Sequence, residues 1–389
     1  MSPAESAFPA PGKPDFAEVD FNQAPFVVVW EVTRACDQVC RHCRAVSRPH
    51  RDPRELTLDE GRALFAEVLR FGRPLFVITG GDPMKRPDIF DIVEQGVRAG
   101  LRMALTPSNT PLVTREAVFE FKARGLSRMA VSLDGSTAEI HDGFRRVPGS
   151  FRCTMNILRS AAEAGISLQI NTTVTRHNLH DFDNMARMIK DFGIAMWSVF
   201  FLVPTGRGKV EDEVRPEEFE MIFHKLYDLS KQVPFDIKTT AAPHFRRVVL
   251  QRRLAEGLAP EGTVPTVKGP GFDAGDNIRR APKGVNDGNG FIFVSHIGEI
   301  FPSGFLPLYL GNVREVSLVE TYRNHPILRE LRDYSKLKGK CGYCDFRDIC
   351  GGSRARAYAV TGDYLASDPY CIYQPPRPEE RQAQGGEKS

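Results

Sequence analysis

The chain has 389 residues, 41% of them hydrophobic and 26% charged, enough for a sizeable core and, at roughly 150 residues each, two or three domains. Lys plus Arg (52) against Asp plus Glu (49) leaves a net charge of only +3, so the balance points to no nucleic-acid or membrane-surface partner. No run approaches the roughly 20 apolar residues that cross a bilayer.

The start of the chain, MSPAESAFPAPGKPD, has neither a basic head nor an apolar stretch, so no secretory signal is read and a reducing cytoplasm is the expected setting. Residues 1–22 are Pro-rich and expected to be a flexible tail. The eight cysteines then call for an explanation other than disulfides.

The first apolar run, Phe26 to Glu31, reads as a buried strand feeding a loop with Cys36, Cys40 and Cys43. The spacing C-x3-C-x2-C suits three thiolates on three irons of a 4Fe-4S cube, with the fourth iron open to a reactant. The competing reading is an incomplete zinc site completed by His42 or His50.

Thr57 and Glu60 form a capping-box pattern ahead of Leu64, Phe65, Val68 and Leu69, which predicts a helix. A strand over 74–79, the turn GGDP and a helix from Asp88 follow. The beat then repeats: strand 102–106, helix from Thr114, strand 128–133, helix 154–164, strand 167–173, helix 181–192, strand 195–202. About six strands alternating with helices argue for a parallel α/β sheet, either a partial barrel or a flat doubly wound sheet. Ligands in such folds sit at the carboxyl ends of the strands. Gly80, Gly81, Asp82 and Pro83, then Ser108 and Asn109, then Ser132 and Asp134, and finally Asn171 all fall at that address. Each also reads singly as an ordinary turn or cap. Cys153, on the helix after the fourth strand, reads as a small buried hydrophobe.

Beyond residue 235 a Gly- and Pro-rich stretch, 259–290, reads as a substrate-gating loop within a linker over 236–290. Arg246, Arg247, Arg252 and Arg253 are either a solvated helix face or receivers for carboxylates. The last cysteines, Cys341, Cys344, Cys350 and Cys371, have the spacing C-x2-C-x5-C-x20-C. They suffice to close one metal site, zinc or iron-sulfur alike on ligand chemistry. Residues 374–389 are charged and expected to be a flexible tail.

CDQVCRHC resembles the radical S-adenosylmethionine (radical SAM) signature, C-x3-C-x-aromatic-C, with His42 at the aromatic position. The resemblance implies a TIM-like partial (βα)6 barrel over 23–235. It also implies a 4Fe-4S cluster on Cys36, Cys40 and Cys43 that chelates the cofactor's methionine and releases a 5'-deoxyadenosyl radical. GGDP is similar to the family's GGEP, whose main chain holds the cofactor's ammonium; Asp82 replaces the usual Glu. Ser108-Asn109 resembles an element that contacts ribose or carboxylate, and Arg145, with Arg146 as the neighbour in register, matches an Arg that pairs with the cofactor's carboxylate.

Residues 291–373 resemble the SPASM and twitch extensions that carry auxiliary clusters. Ser303 and Ser353 stand where a second cluster would need cysteines, so the resemblance implies one auxiliary cluster, of the 4Fe-4S kind. The closing run CGGSRARAYAVTGDYLASDPYC resembles the heme and heme d1 branch, which implies a tetrapyrrole side chain as substrate and an electron donor such as flavodoxin or ferredoxin. The alternatives are a maturase acting on a ribosomal peptide and a non-catalytic zinc-binding protein.

Overall fold

The computed structural model describes residues 19–258 and 284–379. The gating loop expected within 259–290 lies, through residue 283, outside the described residues, and so do 1–18 and 380–389 of the two tails.

Chain order is β1 (Val27–Glu31), α1 (Leu58–Leu69), β2 (Leu75–Thr79), α2 (Ile89–Arg98), β3 (Arg102–Leu105), α3 (Arg115–Ala123), β4 (Arg128–Ser132), α4 (Ala138–Arg145) and α5 (Ser150–Glu163). There follow β5 (Ser167–Val174), α6 (Phe182–Ile189), β6 (Met196–Phe201), α7 (Pro216–Ser230), β7 (Asp236–Thr240) and α8 (Phe245–Ala255). The C-terminal part adds β8 (Phe291–Val294), β9 (Glu299–Phe301), β10 (Gly311–Asn312), α9 (Leu318–Asn324), α10 (Pro326–Arg332), α11 (Gly339–Gly342), α12 (Arg347–Cys350) and α13 (Arg354–Thr361).

The helix starts follow the side-chain chemistry of the sequence. At α1 the Glu60 amide donates to Thr57 Oγ1 at 3.2 Å and the Thr57 amide to Glu60 Oε2 at 2.8 Å, a reciprocal cap that satisfies two otherwise orphaned donors. Thr114 caps α3 in the same sense.

The ten strands of the described residues form one sheet in the order β10-β9-β8-β1-β2-β3-β4-β5-β6-β7. Strands β1 to β7 run parallel in sequence order, the pattern of a barrel built from βα units and left open. On the other side of β1, β8 pairs parallel and carries the antiparallel ribbon β9-β10. Residues past 290 therefore extend the barrel's own sheet before they build the cysteine-bearing segment.

Two elements depart from the sequence expectation. The segment HDGFRRV falls largely in α4, too short and too polar for its stripe to register. The stretch from 236, read as linker, opens with β7 and α8. β7 is the polar run DIKTT, which escapes notice because its side chains do not alternate hydrophobic with polar.

The two faces of the sheet differ. On β5, Leu168, Ile170, Thr172 and Val174 are buried, while Gln169, Asn171 and Thr173 are half-buried. Trp197 of β6, in register with Ile170, stacks on Phe182 of α6 at 5.4 Å, which identifies the buried set as the helix-covered side. Gln169, Asn171 and Thr173 consequently line the concave side.

Candidate functional site

The loop after β1 carries Cys36, Cys40 and Cys43; the first two are buried and the third is half-buried. All three are free thiols. The loop is held by backbone pairing: the Cys36 amide donates to Arg48 O at 2.8 Å and the Arg48 amide to Arg34 O at 2.9 Å. Beside it runs the turn after β2, where the Gly81 amide donates to Thr33 O at 2.7 Å and the Asp82 amide to Ala35 O at 2.6 Å. A Cβ on Gly80 would lie 2.7 Å from Thr33 O, and one on Gly81 2.5 Å from Ala35 O. No side chain fits there, so the two glycines are what lets this turn dock on the cysteine loop.

Asp82 is fully buried, and its carboxylate accepts from Thr110 Oγ1 at 2.7 Å and the Met84 amide at 3.1 Å. Its side chain caps the turn at Pro83 and leaves ligand contacts to the main chain. Ser108 donates to Gly81 O at 2.6 Å and stands 3.4 Å from Cys36 Sγ. Asn109 donates through Nδ2 to Ser132 O at 2.7 Å and to Thr154 Oγ1 at 2.5 Å, which fixes the amide's orientation. Its Oδ1 is buried with no partner, an acceptor open to an incoming donor.

His42 is stacked on Phe144 at 4.6 Å with an interplanar angle of 19°. Its Nδ1 is buried and unpartnered, and burial, reinforced by Arg145 and Arg207, holds the ring well below its ordinary pKa. It is a neutral plate, which suits the position an aromatic ring occupies in the motif.

Arg145 is buried and Arg146 exposed. The Arg145 guanidinium grips Asp134 through Nε at 2.7 Å and through a second, short contact, and stands 3.7 Å from Cys40 Sγ. Asp134 also accepts from the Thr173 amide at 2.7 Å. The Arg145 fork thus grips Asp134 and reaches the Cys40 sulfur. Asn171 accepts from Gln169 Nε2 at 2.7 Å on the concave face.

The thiols differ electrostatically. Burial pushes Cys36 up to about 11, with the Ser108 hydroxyl 3.4 Å away pulling back, and raises Cys40 against the charge of Arg145. At Cys43 burial also opposes ionisation, but the Ser47 amide and Arg207 outweigh it and bring the thiol below its usual value. Arg207, which sequence reasoning missed, donates its amide to Cys43 O at 3.0 Å and its guanidinium to Ser47 Oγ at 2.9 Å. The glycine-flanked TGRG after β6 was the available signal.

The second cysteine group gathers on one cleft: Cys341, Cys344, Cys350 and Cys371 line it together with Arg247, Lys340 and Arg347. The positive lining suits a cluster whose four thiolates leave it net negative. Burial drives Cys350 well up and Cys371 up to about 11, with Arg246 and Arg247 respectively pulling back. Gly352, at φ +63°, turns the chain where a Cβ would lie 3.4 Å from Cys341 Sγ. Ser303 and Ser353 are both buried, and Ser353 Oγ caps α13 by accepting from the Arg356 amide at 3.2 Å. Cys153 is half-buried on α5 rather than fully enclosed. Among the described residues no three His, Cys, Asp or Glu side chains are placed to hold a single metal ion; a cube asks for something else, one thiolate on each of several irons.

The arginines of α8 are mostly committed. Arg246 donates to Ile349 O and Val285 O, Arg247 grips Glu220 at 2.8 and 2.6 Å, and Arg252 holds Asp228 at 2.7 Å. These three brace the fold and leave no fork open for a carboxylate.

A partial parallel barrel with a three-cysteine loop at the mouth of its first strand and a Gly-Gly turn packed against that loop defines a class, and the chain belongs to it: the radical SAM superfamily, whose model matches residues 30–189. Among curated proteins it is 42% identical to the AdoMet-dependent heme synthase of Methanosarcina barkeri, over 92% of this chain and 99% of that one. It is 39% identical to the AdoMet-dependent heme synthase of Nitratidesulfovibrio vulgaris, over 90% and 93% respectively. Among solved structures, Streptococcus suis SuiB bound to precursor peptide SuiA matches 90% of this chain and 76% of its own with a TM-score of 0.67 at 15% identity, a likeness of fold. The protein is a radical SAM enzyme: with a 4Fe-4S cluster and S-adenosylmethionine it forms a 5'-deoxyadenosyl radical that abstracts hydrogen from a substrate.

Proposed function

We propose that the substrate is an iron tetrapyrrole and that the enzyme turns two of its propionate side chains into vinyl groups, yielding heme. The observation that carries this reading is the likeness to heme synthases over nearly the whole of both chains. The fold likeness to a peptide-bound enzyme says nothing of substrate, and no feature of the site favours a ribosomal peptide.

Cys36, Cys40 and Cys43 are the three thiolates for the cluster, and the orphaned Asn109 Oδ1 together with the close-docked Gly80-Gly81 turn supports a fitted cofactor beside them. When bound, cluster and cofactor supply the adenosyl radical. The main chain from Gly80 to Pro83 takes the cofactor's ammonium, Ser108 and Asn109 its polar groups, and Ser132 and Asn171 face its ribose from the concave side. His42 packs flat beside the cofactor. Arg145 and Asp134 act as a brace that holds the Cys40 sulfur in place.

For each propionate, loss of one hydrogen atom from the ring-attached carbon, then of carbon dioxide and one electron, leaves the vinyl group. Cys341, Cys344, Cys350 and Cys371 hold one auxiliary cluster close to the barrel, suited to accept that electron. Thiolate-bound iron clusters require a reducing setting, which places the reaction in the cytoplasm with a flavodoxin or ferredoxin as the one-electron donor.

The test is anaerobic incubation of the iron-reconstituted chain with S-adenosylmethionine, a reductant and iron coproporphyrin III. The expected product is heme, formed with one 5'-deoxyadenosine per vinyl. Unchanged coproporphyrin beside a cluster-loaded enzyme that cleaves its cofactor overturns the substrate reading.

A further inference from the structure

The register of the sheet sets four residues in one line across the concave face: Ser132 of β4 pairs with Asn171 of β5, Asn171 with Ser198 of β6, and Ser198 with Lys238 of β7. Ser132 and Asn171 belong to the proposed cofactor side. Lys238 stands two strands beyond Asn171, about 10 Å away at the usual interstrand spacing, at the end of the arc farthest from the cysteine loop that follows β1.

Lys238 is the unusual member. The β7 neighbour Ile237 is buried on the helix side, whereas Lys238, one residue on, is exposed and so belongs to the concave side. Among the described residues its ammonium has no hydrogen-bond or ion-pair partner. Burial lowers it to about 8, with Arg128 and Arg246 pushing the same way, so it is still mostly charged at neutral pH in a region of positive potential. An ammonium on the concave side with no protein partner is free to meet a ligand's negative charge.

We propose that Lys238 anchors a carboxylate of the substrate inside the barrel, setting which side chain of a polycarboxylate ring is turned toward the cofactor. This rests on the tetrapyrrole reading and deepens it. A lysine suits the task because its flexible stem and point charge hold one carboxylate without dictating the plane of the ring. The row of Ser132, Asn171 and Ser198 then spans the distance between the anchored group and the reacting one.

The test titrates iron coproporphyrin III into the cluster-reconstituted chain without reductant and follows the porphyrin absorbance, so that binding is read apart from turnover. Lys238→Met is expected to weaken binding by about tenfold to a hundredfold, the worth of one charge-assisted contact, and Lys238→Arg to restore most of it. With the tetramethyl ester of the same porphyrin, wild type and Lys238→Met should bind alike, which a merely structural lysine would not produce. Equal affinity of wild type and Lys238→Met for the free acid overturns the anchor alone. Loss of S-adenosylmethionine affinity with porphyrin affinity intact also overturns it, assigning the lysine to the cofactor's carboxylate. Failure of the wild type to bind iron coproporphyrin III overturns the tetrapyrrole reading and the anchor with it.

Discussion

The chemistry at the cysteine loop depends on residues that touch the thiols without being thiols. Arg145 neutralises Asp134 in a fully buried pair and reaches the Cys40 sulfur. Removing one member of such a pair strands the other charge, at about 3–5 kcal/mol. Arg145→Ala is therefore expected to lower the melting temperature clearly and to reduce the iron retained on reconstitution, while Asp134→Asn with Arg145→Met together recover part of the stability. A melting curve of Arg145→Ala that overlays the wild type contradicts the brace. At this scale the sequence was informative where chemistry is concentrated in spacing: the three cysteines, the Gly-Gly turn and the Ser108-Asn109 pair do come together at one end of the barrel. Spacing says nothing of how a side chain is spent: that the Arg145 fork grips Asp134 and that the Asp82 carboxylate accepts from Thr110 emerge only from the packed structure. Lys238 lay in a segment without hydrophobic pattern and gave no signal.

A buried arginine of α13 is a main fastening of the auxiliary-cysteine segment to the barrel, beside the Arg246 contact to Ile349 O. Arg356 is fully buried; it pairs with Glu213 at 3.0 Å and donates to the carbonyls of Ala241 at 2.6 Å and Leu202 at 2.7 Å. Tyr370 completes the clamp by donating to Glu213 at 2.8 Å. The guanidinium's planar fork satisfies several acceptors at the ends of β6 and β7, which a lysine cannot copy. Arg356→Met should cost about 3–5 kcal/mol by leaving Glu213 buried and unpaired, and limited trypsin digestion should release the C-terminal segment before the barrel unfolds. Uniform digestion of both parts contradicts the clamp. The βα beat was legible because each helix carries an apolar stripe and several carry a capping threonine. β7 and the return of β8 to the side of β1 were not, since a polar edge strand and a long-range pairing leave no local trace.

Across the molecule, buried titratable groups tie stability to pH. Burial, aided by Arg145, holds His141 down to about 3, so its imidazole stays neutral in the fold; the Asp134 amide donates to its Nδ1 at 3.1 Å, which assigns the proton to Nε2. Between its ordinary value of 6.5 and about 3 it takes up a proton only in the unfolded chain. The contribution of His141 to stability is thus complete above 6.5 and falls by about 1.4 kcal/mol per pH unit below it. Burial works against the Glu31 carboxylate, but Arg44, His296 and Arg34 overcome it and hold the group at about 2. Its contribution is present above the ordinary 4.5 and is lost as pH falls toward 2. Both slopes have the same sign, so the melting temperature should fall steadily between neutral pH and about pH 5 and faster below that. A flat or rising profile contradicts this account of the buried groups.

In the proposed reaction the cysteine loop, the concave polar row and Lys238 serve one event, the removal of a hydrogen atom from a carboxylate-bearing side chain. The most direct measurement uses iron coproporphyrin III carrying deuterium on the ring-attached carbons of its propionates, incubated anaerobically with the reconstituted enzyme, S-adenosylmethionine and a reductant. The account predicts that the 5'-deoxyadenosine formed is enriched in one deuterium while the porphyrin gains vinyl groups. Deuterium-free 5'-deoxyadenosine accompanied by an intact porphyrin would contradict it.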